Sequence, residues 1–323
     1  MKSFLRVVKW VGLTLVVLVV GFVAFVYARA NRTYDAPYPD LAASQDSTLI
    51  ERGRYLATGP AHCVDCHTPT SEVERLAAGE DVPMSGGFDF VLPIGTIYAP
   101  NITPDPETGI GSYTDGELAR ALRYGVKRDG RPLLDFMPFY DLSDYDLTAV
   151  ISYLRASEPV QNERPAHEFN FMGNMVRALG MVKPMGDGDV PPAPAIDTTA
   201  AYGEYLARTV ANCRGCHSER DLRTGAYVGP EYAGQMEFEG MEGGYFVTPN
   251  LTPDPETGRI ANWSQDQFVQ RLRSGVGLPG SPMPWGPFSR MSDTELIALF
   301  KFFSTLDPVR AEKPIPVGLQ GAS

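Results

Sequence analysis

The chain has 323 residues, is 43% hydrophobic and carries a formal net charge of −11, which excludes a disordered polymer and supplies apolar material for about two domains. Residues 1–32 hold five basic and no acidic residues, so the remaining 23 basic and 39 acidic residues leave the body at −16. Such a body repels nucleic acid and favours a partner with a basic docking face.

The first predicted element is a membrane helix. Lys2, Arg6 and Lys9 precede 19 uncharged, mostly apolar residues at 10–28. At about 1.5 Å per residue that run nearly covers a hydrocarbon core of about 30 Å, and the basic flank favours its start staying in the cytoplasm. Ala28-Arg29-Ala30 also fits a signal-peptide cleavage pattern, but signal cores run about 7–15 residues. The expectation is a retained single-pass anchor over residues 1–32.

A helix is expected at 47–58, followed by Cys63-Val64-Asp65-Cys66-His67. This is C-x-x-C-H, the attachment signature of c-type haem. Two cysteines three positions apart suit thioether bonds to the two vinyl groups of one porphyrin, and the histidine then binds the iron from the proximal side. Zinc or thiol-disulfide chemistry is the alternative use of such cysteine pairs. His62 is read as solvent-facing or touching a propionate, and His167 as a loop residue.

Further on, Pro100-Asn101-Ile102-Thr103-Pro104 leads into Asp105-Pro106-Glu107-Thr108-Gly109, which is strong turn chemistry. On one reading the Pro100 carbonyl accepts the proximal imidazole N–H and Asn101 reaches a propionate; a rigid turn without either role is the alternative. Thr114 with Glu117 is a capping box opening a second helix. Met137-Pro138-Phe139 is the candidate sixth-ligand string, because proline stiffens the loop and holds Met137 extended. Ser143 with Asp146, a weaker capping pair, opens a last helix whose apolar face is Leu147, Val150, Ile151 and Leu154.

Residues 160–197 form a proline-rich linker with a Met-rich stretch at 169–183. It is expected as a strap packed across both flanking domains; an amphipathic segment lying on a membrane or partner is the alternative.

The remainder repeats the first body. Gly53-Arg54-Tyr55-Leu56-Ala57 recurs as Gly203-Glu204-Tyr205-Leu206-Ala207, an offset of 150. The Pro100 loop recurs from Pro249 and Asn250 at an offset of 149, and Met137-Pro138 as Met283-Pro284 at 146. A helix is expected at 198–209. Cys213-Arg214-Gly215-Cys216-His217 is the second C-x-x-C-H, and the four cysteines of the chain all lie in these two motifs. Ser264 with Gln267 and Ser292 with Glu295 repeat the caps. Leu296, Leu299, Phe300 and Phe303 repeat the apolar face. This is a two-copy duplication: an anchor at 1–32, domains at 45–159 and 198–310, the linker at 160–197 and a tail at 311–323.

On these motifs the chain resembles dihaem class I cytochromes c. The resemblance implies an all-α fold: two tandem cytochrome c domains with long loops, plus the N-terminal transmembrane helix. It implies two covalently bound haem c groups, held by Cys63, Cys66, Cys213 and Cys216. The irons would be ligated by His67 with Met137 and by His217 with Met283. It also implies crossed first and last helices, with Gly53 and Gly203 close to Tyr153 and Phe302, and a body outside the cytoplasmic membrane of a bacterium, on the periplasmic side. The Asn-Ile-Thr-Pro-Asp-Pro-Glu-Thr-Gly string is similar to that of cytochrome c subunits of bacterial membrane-bound dehydrogenases. Those subunits carry three haems and a C-terminal membrane segment, whereas this chain has two motifs and an N-terminal run. The implied role is electron transfer from a dehydrogenase or respiratory complex to a soluble cytochrome or terminal oxidase, with no catalytic residue of its own. A dihaem cytochrome c peroxidase is the alternative and would need one iron with an open face.

Overall fold

A computed structural model describes residues 1–77, 80–221, 225–239, 245–275 and 280–311. It opens with α1 (Lys2–Arg29), long and apolar enough to cross a membrane by length and composition, a property that a signal sequence shares.

In α2 (Ser47–Thr58) the Asp46 carboxylate caps the helix, accepting from Thr48 N at 2.8 Å. It crosses α6 (Asp144–Ala156), burying Leu56 against Leu147 and Ile151. The crossing is close because position 53 has no side chain: a Cβ there would fall 1.9 Å from the Ala149 carbonyl oxygen and 2.8 Å from Tyr153 Cβ. The second half repeats this crossing. Helix α8 (Ala200–Tyr205) packs on α12 (Asp293–Thr305), and a Cβ on Gly203 would fall 2.0 Å from Ala298 O and 2.8 Å from Phe302 Cβ. Phe302 is therefore buried at 5% exposure, while Phe300, expected on the apolar face, is only half-buried.

Among the described residues the remaining α-helices are α3 (Cys63–His67), α4 (Val73–Ala77), α5 (Asp115–Tyr124), α7 (Phe171–Ala178), α9 (Cys213–His217), α10 (Gln265–Arg273) and α11 (Trp285–Ser289), with a 3-10 turn at Thr70–Glu72 and a π-helical turn, Leu206–Val210, continuing α8. Complete capping boxes open α5, α10 and α12 through Thr114/Glu117, Ser264/Gln267 and Ser292/Glu295. Two expectations shift. The helix expected at 198–209 starts at Ala200, because Asp197 accepts from Thr199 N and Thr199 becomes the cap. The Ser143–Asp146 pair is one-sided: Ser143 Oγ accepts from Asp146 N at 3.2 Å, and the Asp146 carboxylate turns elsewhere.

The fold is not purely helical. Strands β1 (Asp89–Leu92), β2 (Gly95–Tyr98) and β3 (Glu168–Phe169) form an antiparallel sheet in that order, with Asp89 opposite Tyr98 and Gly95 opposite Phe169. A second hairpin pairs β4 (Glu237–Glu239) with β5 (Tyr245–Val247). Aromatic and β-branched residues favour this pleated pairing.

The linker is less of a strap than expected. Val160 and Asn162 bond into the 101–108 loop, β3 joins β2, and α7 packs on α1. Its end, Val190 to Ile196, lies at the junction of the two halves, lining a cavity with Arg52, Asp146 and Tyr202.

That junction is reciprocal. Tyr55 accepts from Ser292 N at 2.8 Å and donates to Glu295. Its repeat mate Tyr205 accepts from Ser143 N at 3.2 Å and donates to Asp146 at 2.7 Å. Arg52 bridges the two carboxylates, 2.9 Å from Asp146 and 3.7 Å from Glu295, both only 1% exposed. Each half thus inserts a tyrosine into the helix cap of the other, the self-complementary pattern of a two-fold interface.

Candidate functional site

Both C-x-x-C-H segments are presented in one way. The preceding helices end on wide turns, Ala61 N donating to Leu56 O and Ala211 N to Leu206 O, both at 2.8 Å. The chain then passes through a left-handed residue, His62 at φ 42° or Asn212 at φ 48°. Histidine and asparagine tolerate that region better than most residues. A single helical turn follows and carries both cysteines and the histidine.

His67 and His217 are buried, at 6% and 7% exposure. Each turns Nδ1 to a carbonyl oxygen, His67 to Pro100 at 2.8 Å and His217 to Pro249 at 2.9 Å. A nitrogen facing a carbonyl carries the proton, so Nε2 keeps its lone pair. Burial pulls both imidazoles below the ordinary histidine pKa, against the opposing pull of the carbonyl bond. The result is a neutral ring of fixed tautomer with Nε2 as donor, the state a metal-ligating histidine requires.

The four cysteines are unpaired. Burial pushes the thiols of Cys63 and Cys213 up to about 12 and that of Cys66 up to about 11, whereas a redox-active thiol is depressed. Among the described residues no three His, Cys, Asp or Glu side chains gather as a ligand set, so the cysteines do not converge as zinc would need. The donors present, two thiols beside a buried neutral imidazole with Nε2 available, fit a covalently bound haem.

The asparagines behave differently from the expectation that they reach propionates. Asn101 Nδ2 donates to Val160 O at 2.7 Å and Thr108 Oγ1 at 3.1 Å, while Oδ1 accepts from Thr103 N and Oγ1. Asn250 does the same with Val309, Thr257 and Thr252. Both amides are spent clamping the segment after the last helix, and at 3% exposure neither reaches outward. Asp105 and Asp254 fix the turn, each Oδ1 accepting from the N–H and hydroxyl of Thr108 or Thr257. The loop is a rigid frame that aims the carbonyls of Pro100 and Pro249.

Met137 and Met283 lie in matching tight turns, their carbonyls accepting from Phe139 N at 2.9 Å and Trp285 N at 2.8 Å. Pro284, at φ −75° and ψ 66°, has the dihedrals of an inverse γ-turn. Both methionines are half-buried against the core, unlike Met84, Met236 and Met291, which are buried within it. Met241 lies outside the described residues.

His62 does not face solvent. Its ring meets Phe288 edge-on at 5.5 Å, across the junction. His167 accepts from Tyr98 N at 3.3 Å and serves the sheet. Tyr55, Tyr205, Asp146 and Glu295 stand in motifs legible in the sequence, but that they meet, together with Arg52, is not. The one signal of their meeting is that the G-x-Y-L-A tyrosine and the acidic cap residue both recur at the repeat offset.

No family model matches the chain. It is 32% identical over 310 residues to the cytochrome c subunit of the quinone alcohol dehydrogenase of Gluconacetobacter polyoxogenes, a match covering 90% of this chain and 62% of that protein. It is 30% identical over 280 residues to the fructose dehydrogenase cytochrome subunit of Gluconobacter japonicus, covering 84% and 52%. It is 27% identical over 221 residues to a dihaem c-type cytochrome of Cereibacter sphaeroides, covering 66% and 69%. The chain thus spans less than two thirds of the length of the dehydrogenase subunits it matches.

Proposed function

From a chain homologous to cytochrome c subunits of dehydrogenases and to a dihaem c-type cytochrome, we propose a membrane-anchored dihaem electron carrier. Cys63, Cys66 and His67 hold one haem in a domain at 45–159. Cys213, Cys216 and His217 hold the other in a domain at 198–310. Met137 and Met283 close the sixth positions. When bound, each haem supplies a one-electron couple. The protein orients the imidazoles through Pro100 and Pro249, presents thioethers on stiff turns, and buries both motif histidines. The repeated Nδ1–carbonyl contact at 2.8 and 2.9 Å is the observation that carries this reading.

The anchor is α1, which holds the acidic body on the periplasmic face of a bacterial cytoplasmic membrane. Electrons enter from a membrane-bound dehydrogenase or respiratory complex and leave to a soluble cytochrome or terminal oxidase. The relatives' names support a dehydrogenase as donor, and the body charge of −16 supports a basic docking face on the partner.

The test is isolation of the chain from membranes in mild detergent. A dehydrogenase subunit is expected to co-purify, and its substrate to reduce both haems. With the separated partner, reduction slows as ionic strength rises from about 0.01 to 0.15 M, because the Debye length falls from about 30 to 8 Å. Isolation without a dehydrogenase, with haems that remain oxidised under the substrates of the membrane dehydrogenases, would overturn the donor assignment.

A further inference from the structure

The helix α7 is too short to cross a membrane, yet it packs on α1. The Phe171 ring lies 6.4 Å from the rings of both Phe22 and Tyr27, and Val26 in the same turns is fully buried. Phe22 precedes Arg29 by seven residues, about 10 Å of helical rise. If α1 spans the bilayer and its charge-free run ends before Arg29, the Phe171 ring sits between the levels of Phe22 and Tyr27, inside the outer boundary.

The surroundings match that depth. Phe171, Met172 and Leu179 are 42%, 49% and 52% exposed, large apolar side chains on one short segment. The β1–β2 turn is fastened to it: Asn170 Nδ2 donates to Pro93 O at 2.8 Å, and a Cβ on Gly173 would fall 2.2 Å from Ile94 O. Val91 in that hairpin is 81% exposed.

Around α7 basic residues outnumber the acidic Glu168 and Asp129. Arg29 lies in the last turn of α1, Arg32 reaches Gly180 just beyond α7, and Arg177 on α7 donates to Asn31 Oδ1 at 2.9 Å and stacks over Phe169 at 4.2 Å. Arg131, paired with Asp129, and Lys127 stand close enough to act electrostatically on one another, and Arg177 acts on Lys127 as well. Apolar side chains set in a basic rim suit the headgroup boundary of an anionic bilayer, where an amphipathic helix sinks its apolar face by about 5–10 Å.

We propose that α7, with the tip of the β1–β2 hairpin, is a second membrane contact: a foot embedded in the anionic outer-leaflet interface beside α1. It rests on the reading of α1 as a retained anchor. One helix leaves a body free to swivel. A second contact at its side fixes which face of the haem-bearing body points along the membrane.

The test uses the full chain with haem attached, in vesicles of phosphatidylethanolamine and phosphatidylglycerol. Its native cysteines are then thioethers, so Met172→Cys, Leu179→Cys and, on α12, Ser304→Cys each carry one free thiol; an unchanged haem spectrum verifies each fold. Positions 172 and 179 are expected to react about tenfold or more slowly than 304 with a water-soluble maleimide, and faster than 304 with a lipid-soluble one. Equal rates with the water-soluble reagent at all three positions overturn the foot, and slow reaction with both reagents means that protein covers the face and overturns it too. The mass of the mature chain separates the two readings. Loss of residues 1–30 removes the anchor and the foot together, whereas an intact N-terminus with free labelling at 172 and 179 removes the foot alone.

Discussion

Met137→Leu is expected to lower the midpoint potential of one haem by about 0.1–0.3 V, part of the roughly 0.8 V that axial ligands span, and to let that iron bind carbon monoxide in its ferrous state. Met283→Leu does the same to the other haem. A thioether favours the ferrous iron and raises the potential, and leucine fills similar volume while offering no lone pair. Each substitution acts on one haem because each methionine is held in a turn of its own half, Met137 by Phe139 N and Met283 by Trp285 N. Redox titration followed in the visible bands, with carbon monoxide difference spectra of the reduced variants, measures both effects. Two unchanged potentials would refute the ligand assignment. Full carbon monoxide binding at one haem of the unaltered protein would favour the peroxidase reading.

Glu295→Ala is expected to loosen the joint between the halves, at a cost of about 3–5 kcal/mol. Glu295 accepts from Tyr55, from Tyr202 at 3.1 Å and from Ser292 N at 3.1 Å, and it faces Arg52 at 3.7 Å. Removing the carboxylate strands buried donors and leaves Arg52 with Asp146 alone, and stranded groups cost more than the bond itself is worth. For a chain of this size, with an unfolding entropy of about 2.1 cal/mol/K per residue, the melting temperature should fall by roughly 4–7 °C. Glu295→Gln, which keeps an acceptor oxygen, loses less. Calorimetry of the haem-loaded protein reads the shift; a melting temperature within about 2 °C of the parent would mean that the cap carboxylate does not fasten the halves.

Much of this architecture is legible in the chain, and the exceptions have physical reasons. Local rules succeed where local chemistry decides. The first body helix falls at Ser47–Thr58 as expected, and three S/T-x-x-E/Q strings close as complete capping boxes. Gly53 and Gly203 sit at the expected helix crossings because a side chain at either would strike backbone. The sheets are missed because the strands have two to four residues, and β3 finds its partner across the whole of α5 and α6.

Asn101 and Asn250 are misdirected for a similar reason. Their decisive acceptors, the carbonyls of Val160 and Val309, lie 59 residues away. The junction is harder still: Tyr55 meets Glu295 at a separation of 240 residues, and nothing local marks a tyrosine that caps a distant helix. Asp146 illustrates the competition, since its place in the cap pattern predicts a bond to its own helix, but the half-buried Arg52 and Tyr205 take the carboxylate. The apolar, Met-rich composition of α7 is legible in the sequence, whereas its packing on the end of α1, about 145 residues earlier, is not.

The dihaem assignment is tested most directly by the haem content of the purified full chain, from pyridine haemochrome absorbance against protein and from the mass of the denatured chain. Two haems that survive denaturation are expected, one lost with Cys63→Ser/Cys66→Ser and the other with Cys213→Ser/Cys216→Ser, with a ferrous spectrum showing the sharp bands of low-spin c-type haem. A single haem per chain, or cofactor released by denaturation, would contradict that assignment.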